Sequence, residues 1–188
     1  MDLHELLLHS RSYRRFHQQP LEEKTLVELL ELTRLCPSAS NRQPLKYLLA
    51  WRAEQNAKIF PHLRWAAALA PWPGPAEGER PPAYVLILRD NNITANFVID
   101  HGLAAQTLTL AATGRGLAAC IIGSIDRERI RADLALDGHL EILLVVAIGE
   151  PAEKIVLENV AGGDIRYWRD DAGVHHVPKR PLSEVLLP

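Results

Sequence analysis

Ile142-Leu143-Leu144-Val145-Val146-Ala147-Ile148 is an unbroken apolar run, stopped by Gly149 and Pro151. Its length and its four β-branched residues predict a strand, the strongest in the chain. Tyr84-Val85-Leu86-Ile87-Leu88 is a second such run, the pattern of a strand buried on both faces. Between them, the stretch from about Thr94 to Gly114 predicts the longest helix, with apolar residues nearly all the way round. A helix of that kind must be buried on most sides, and in a small domain a second subunit does this most easily. After the break at Gly114-Arg115-Gly116-Leu117, Ala119-Cys120-Ile121-Ile122-Gly123 reads as a short strand entering a turn. Asp126 reads as the N-cap of a helix to about Leu136.

Upstream, Leu3, Leu6 and Leu7 predict a short helix from Asp2 to about His9. A second helix is expected from Pro20 to about Leu35, with Glu22 and Glu23 in its first turn and Leu26, Leu29, Leu30 and Thr33 inward. Pro37 ends it. Tyr47 to Trp51 reads as a strand and Gln55 to Phe60 as a short helix, within an irregular stretch from about Arg52 to Pro82. Trp65 and Trp72 in that stretch either cover a flat ligand or anchor the loop to the core. The tail, residues 152–188, reads as sparsely structured and must pack on this subunit or on a partner. The order predicts one mixed domain of helices and a few central strands over residues 1–188, without fixing its topology.

The chain has 188 residues, 47% hydrophobic and 23% charged, enough for a real core in a soluble globular protein. A net charge of -2 provides no global attraction to nucleic acid or an anionic membrane, so a bound anion must be held locally. No apolar run approaches the roughly 18 residues of a membrane span. The N-terminus lacks the design of a secretory signal, and Cys36 and Cys120 suit free thiols in a reducing compartment, so a cytoplasmic protein is expected. The cysteines and the adjacent His175 and His176 fit no metal-ligand spacing, and no metal is expected. Nucleophile-elbow, Walker and dinucleotide fingerprints are all missing.

Three segments carry chemistry. Ser10-Arg11-Ser12-Tyr13-Arg14-Arg15-Phe16 holds three arginines within five positions beside two serines, fork-shaped and short donors suited to a phosphate. Alone it reads first as a solvated basic face. Lys179-Arg180 is a second basic pair at the far end. Pro37-Ser38-Ala39-Ser40-Asn41-Arg42-Gln43-Pro44 is a polar loop fixed by prolines at both ends.

In that order along the chain, these segments resemble the FMN-dependent nitroreductase family. The resembling motifs are Arg11-Ser12-Tyr13-Arg14-Arg15-Phe16, the Pro37 to Pro44 loop, Gly116-Leu117-Ala118-Ala119-Cys120-Ile121-Ile122-Gly123 and Val177-Pro178-Lys179-Arg180. The resemblance implies an α+β nitroreductase-like fold, a central and mostly antiparallel sheet flanked by helices, working as an intertwined homodimer with FMN at the interface. Arg11, Ser12 and Arg14, with Tyr13 among them, would hold the phosphate and ribityl chain, and Lys179 and Arg180 would close on the same phosphate. Pro37, Ser38, Ala39, Asn41 and Gln43 would reach the flavin from the other subunit, and Ile121, Ile122 and Gly123 would lie against its ring. Ser10 stands where many members carry an additional arginine.

The implied activity is a ping-pong oxidoreductase passing hydride from NADH or NADPH through FMN to a nitroaromatic or quinone-like acceptor. The chemistry sits on the flavin, so no catalytic side chain is required. A specialised flavin enzyme with another substrate, a flavin-binding module without turnover, and an interaction domain without flavin are the alternatives.

Overall fold

The computed structural model describes residues 1–96 and 99–187. Six helices are named here: α1 (Leu3–His9), α2 (Glu23–Thr33), α3 (Ala53–Ile59), α4 (Asp100–Gly114), α5 (Arg127–Asp133) and α6 (Leu182–Val185). The strands are β1 (Phe16–His17), β2 (Leu45–Ala50), β3 (Ala83–Asp90), β4 (Ala118–Ile122), β5 (Leu140–Pro151), β6 (Ile155–Asn159), β7 (Trp168–Arg169) and β8 (His175–Lys179).

The apolar run that predicts the strongest strand lies in β5, and β5 organises the sheet. It pairs antiparallel with β3 along one edge and with β4 and then β1 along the other, while β2 pairs antiparallel with β3. The fold is α+β, with an antiparallel central sheet flanked by helices. Alternation along β3 explains why its sequence is apolar throughout. Tyr84, Leu86 and Leu88 enter one core layer with Phe16, Ile59 and Trp65, while Ala83, Val85 and Ile87 enter the opposite layer with Leu26, Leu29 and Leu108.

Local signals explain several boundaries. Asp2 caps α1 by accepting from the Glu5 amide at 2.9 Å, and Glu5 returns a bond to the Asp2 amide, a reciprocal capping box. Asp126 caps α5 by accepting from the Arg129 amide at 3.2 Å. Helix α2 begins at Glu23, later than Pro20 suggests, with Glu22 as its N-cap. Helix α4 begins at Asp100, and residues 97 and 98 of its predicted span lie outside the described residues. Its burial is one-sided: Ala104, Ala105, Leu108 and Ala112 face the sheet, and Leu103 is exposed.

The tail is more ordered than its composition suggests. β8 pairs parallel with β6 and antiparallel with β7, making a second, three-stranded sheet. β8 reads His-His-Val-Pro-Lys, so the apolar signal of a strand is absent from it and only its pairing partners reveal it. Trp65 and Trp72 both pack into or against the core, so they anchor the long loop.

Gly149 marks the crowded point of β5, because a Cβ there would sit 2.6 Å from Pro82 Cδ and 3.0 Å from Phe16 Cδ1. Gly149→Ala is expected to cost about 1–3 kcal/mol, the scale of an overpacked core, measured by urea unfolding. A variant with wild-type stability would show that this junction is loose.

Candidate functional site

The basic stretch is fixed to the sheet before it meets any ligand. Ser12 forms a parallel bridge with Ala119 of β4, and the Tyr13 amide donates to the Ala119 carbonyl at 3.0 Å. From the tail, Glu153 accepts from the backbone amides of Arg14 and Arg15 and from Arg169 Nη2 at 2.8 Å. The Glu153 side chain is only 1% exposed, so this carboxylate is a buried joint between two segments far apart in sequence.

Together they form a cavity of about 280 Å³. The N-terminal stretch lines it with Ser10, Arg11, Ser12 and Arg14, and the tail lines it with Tyr167, His175, Val177 and Lys179. Gln106 and Thr109 of α4, with Ala119 and Ile121 of β4, complete the wall. Arg11 Nη2 donates to the Leu7 carbonyl at 2.6 Å, while its Nε is buried without a partner among the described residues. Arg14 donates to the Ser12 carbonyl at 3.1 Å and to His175 Nε2 at 3.1 Å, with its guanidinium 4.6 Å over the Tyr167 ring. Arg11, Arg14 and Lys179 form no side-chain ion pair with a carboxylate among the described residues. Three cations in one cavity without a counter-charge, one carrying a buried unmet donor, suit an anion of phosphate type.

Arginine has only donors, so His175 Nε2 accepts from Arg14 and the proton sits on Nδ1. Burial first, and then the charges of Arg14, Arg169 and His176, hold the His175 pKa down to about 4. The imidazole is therefore neutral at ordinary pH and orients Arg14 without adding charge. Burial raises the Tyr13 hydroxyl, with Glu153 adding to the rise, and Tyr13 packs against the core rather than lining the cavity.

The polar loop lies at a different cavity, of about 170 Å³, lined by Pro37, Ser38, Gln43, Tyr47 and Asp100 among others. Asp100, buried at the start of α4, accepts from Ser38 Oγ and from the Ala39 amide at 3.1 Å. The Gln43 amide donates to Ser38 Oγ at 2.8 Å, and the Gln43 side-chain amide donates to Asn41 Oδ1 at 3.1 Å. Ser40, Asn41 and Gln43 have φ near +50°, a left-handed conformation costly for side-chain-bearing residues and frequent at functional loops. Burial, reinforced by Cys36 and Asp100, pushes the Tyr47 hydroxyl up to about 12.

Strand alternation sorts the third motif. Ile121 faces the basic cavity and is 39% exposed, whereas Ile122 points the other way into the core. Gly123 follows the end of β4 and does not line the cavity. Arg180 also stands outside it, paired with Glu184 at 2.8 Å. One cavity thus gathers Arg11, Ser12, Arg14, Ile121 and Lys179, and another Pro37, Ser38 and Gln43. Sequence reasoning misses Tyr167, His175 and Glu153. Gln106 and Thr109 are missed as well, because the long helix reads as apolar nearly all the way round.

His175 gives the fold a pH dependence. Between about pH 6.5 and 4 the unfolded chain binds a proton at this residue and the folded chain does not, so stability is full above that window and falls as pH drops through it. His175→Gln is expected to flatten this slope in urea melts across the window; identical slopes in both proteins would contradict the assignment.

The nitroreductase family model matches residues 8–150. A Streptomyces coelicolor protein, provisionally named an NADH dehydrogenase/NAD(P)H nitroreductase, is 27% identical over 78% of this chain and 82% of its own length. The 5,6-dimethylbenzimidazole synthase of Rhodospirillum rubrum is 26% identical over 77% and 79% respectively. Among solved structures, a nitroreductase family protein from Streptococcus pneumoniae TIGR4 superposes with a TM-score of 0.74 at 18% identity, covering 100% of both chains. A provisionally named nitroreductase from Desulfovibrio desulfuricans, solved in complex with FMN, superposes at 0.73 and 24% identity, covering 100% of this chain and 96% of its own. The structural likeness extends through the tail, beyond the matched segment, and the matched segment itself holds the basic stretch, the polar loop and all of the central sheet but Pro151. The chain belongs to the nitroreductase family.

Proposed function

We propose that the protein is an FMN-dependent oxidoreductase that draws reducing equivalents from NADH or NADPH and delivers them to a small organic acceptor, nitroaromatic or quinone-like. The observation that carries the reading is the cavity where Arg11, Arg14 and Lys179 meet without a carboxylate and Arg11 Nε is left buried and unmet. An FMN phosphate, with roughly -1.5 to -2 charge, fits that donor set. When bound, FMN supplies hydride acceptance and onward electron delivery, chemistry for which the chain has no side chain of its own.

The chain's own residues bind and position. Arg11, Arg14 and Lys179 hold the phosphate, Ser12 offers a short donor, and Ile121 presents an apolar surface beside the cavity to the flavin ring. The family name and the FMN bound by the Desulfovibrio desulfuricans relative support this reading. Pro37, Ser38, Ala39, Asn41 and Gln43 serve the site of a partner subunit in this proposal. Exposed leucines on α1 (Leu3, Leu7, Leu8), Ile99 and Leu103 at α4, and Leu182 and Val185 of α6 support a homodimer, because this much apolar surface favours a second copy. A flavin enzyme acting on a substrate without a nitro group is the second reading, favoured by likeness to a 5,6-dimethylbenzimidazole synthase.

Visible absorption of the purified protein with added FMN tests the proposal. A flavin spectrum that bleaches anaerobically with NADH or NADPH is expected. A bound flavin that stays oxidised with both nucleotides would contradict the enzymatic reading. Arg11→Ala is expected to weaken FMN binding by about 10- to 100-fold, the scale of one charge-assisted hydrogen bond. Wild-type FMN affinity in that variant would remove the phosphate assignment.

A further inference from the structure

Arg14 is held at one end of its guanidinium and on one face. Its Nη1 donates to the Ser12 carbonyl at 3.1 Å and to His175 Nε2 at 3.1 Å, which uses both Nη1 hydrogens. Its Cζ lies 4.6 Å from the centroid of the Tyr167 ring. Tyr167 and His175 support each other, with ring centroids 5.3 Å apart and planes inclined at 49°. The Tyr167 hydroxyl accepts from the Ala68 amide at 3.4 Å, which ties its far end to the long loop. Nε and Nη2 of Arg14 have no partner among the described residues and, unlike Arg11 Nε, keep accessible surface.

This arrangement suits an anion in two ways. The Nε–Nη2 edge of an arginine offers two parallel N–H bonds to a phosphate, and a side chain already fixed in place loses little freedom when the anion arrives. The groups that fix Arg14 are a backbone carbonyl, a neutral imidazole and the face of an aromatic ring. None of them is a carboxylate, so the charge of Arg14 is left for the anion. Tyr167 and His175 both follow residue 150, where the segment matched by the family model ends.

We propose that Tyr167 and His175 are positioning residues for phosphate recognition: they clamp Arg14 by its face and its Nη1 end, so that the Nε–Nη2 edge meets the phosphate as a bidentate pair. The proposal rests on the FMN reading for the identity of that phosphate. The clamp itself is a property of the flavin-free protein.

Two measurements test it. In the flavin-free protein, heteronuclear NMR of the arginine side chains is expected to show slow rotation of the Arg14 Nη1 group, with both its hydrogens bonded. Tyr167→Leu and His175→Phe are expected to speed that rotation, and unchanged rotation in both variants overturns the clamp. Fluorescence titration with FMN and riboflavin is the second measurement. Tyr167 is only half-buried, so its variants should fold. Tyr167→Leu is expected to weaken FMN binding at least about tenfold and to leave riboflavin binding unchanged. Tyr167→Phe keeps the ring and is expected to bind FMN as the wild type does. Equal losses of FMN and riboflavin in Tyr167→Leu would reduce Tyr167 to a structural role and overturn the proposal. A loss in Tyr167→Phe as large as in Tyr167→Leu would make the hydroxyl a ligand in its own right, and overturns it as well. A wild type that binds FMN no better than riboflavin fails the FMN reading itself and takes the proposal with it. A wild-type preference for FMN that survives Tyr167→Leu fails the proposal alone.

Discussion

A single buried carboxylate holds together the two halves of the candidate site. Glu153 stands two residues after β5 ends, accepts the amides of Arg14 and Arg15, and pairs with Arg169 of β7. Arg169 in turn lies 4.8 Å from the Trp72 ring, so the long loop is tied to the same joint. Removing one partner of a buried pair leaves the other charge unmet, at a cost of about 3–5 kcal/mol. Rotation of Glu153 out of this position would release the backbone of the basic stretch and the tail sheet at once.

The central sheet does the rest of the positioning. β5 is paired along both edges, which makes it the rigid reference for β3 on one side and β4 on the other. β4 carries Ser12 on its outer edge through the Ala119 bridge, and period-two alternation turns Ala119 and Ile121 toward the cavity. α4 crosses the same face and contributes Gln106 and Thr109, while its first residue, Asp100, anchors the polar loop at a second cavity. One helix therefore sets the positions of both candidate surfaces. Three cations meet in the basic cavity with no carboxylate in its lining, an arrangement that an entering anion would stabilise.

Much of this was legible in the residues, and the exceptions have physical causes. The apolar runs at 84–88 and 142–148 announce β3 and β5 because both faces of the sheet are covered. Arg11, Ser12 and Arg14 stood out as a cluster of arginine forks and hydroxyls, but the stretch alone did not distinguish a phosphate motif from a solvated basic face. Lys179 was visible as half of the second basic pair. The second sheet was not legible, since a strand such as His175–Lys179 has no apolar alternation and is stabilised by pairing with β6 and β7. Glu153 was invisible for a related reason: burial makes it a joint, and burial is a property of the fold. Ile122 and Arg180 lie outside the lining of the basic cavity: strand alternation turns the Ile122 side chain into the core, and Arg180 pairs with Glu184 at the surface.

The central claim is that the basic cavity reads a flavin through its phosphate. Fluorescence titration of the flavin-free protein with FMN and with riboflavin, which differ only by that phosphate, tests it most directly. With several charge-assisted hydrogen bonds to the phosphate, FMN should bind about 100-fold more tightly than riboflavin or better. Equal affinities for the two would contradict the account, because Arg11, Arg14 and Lys179 would then have met for some other reason.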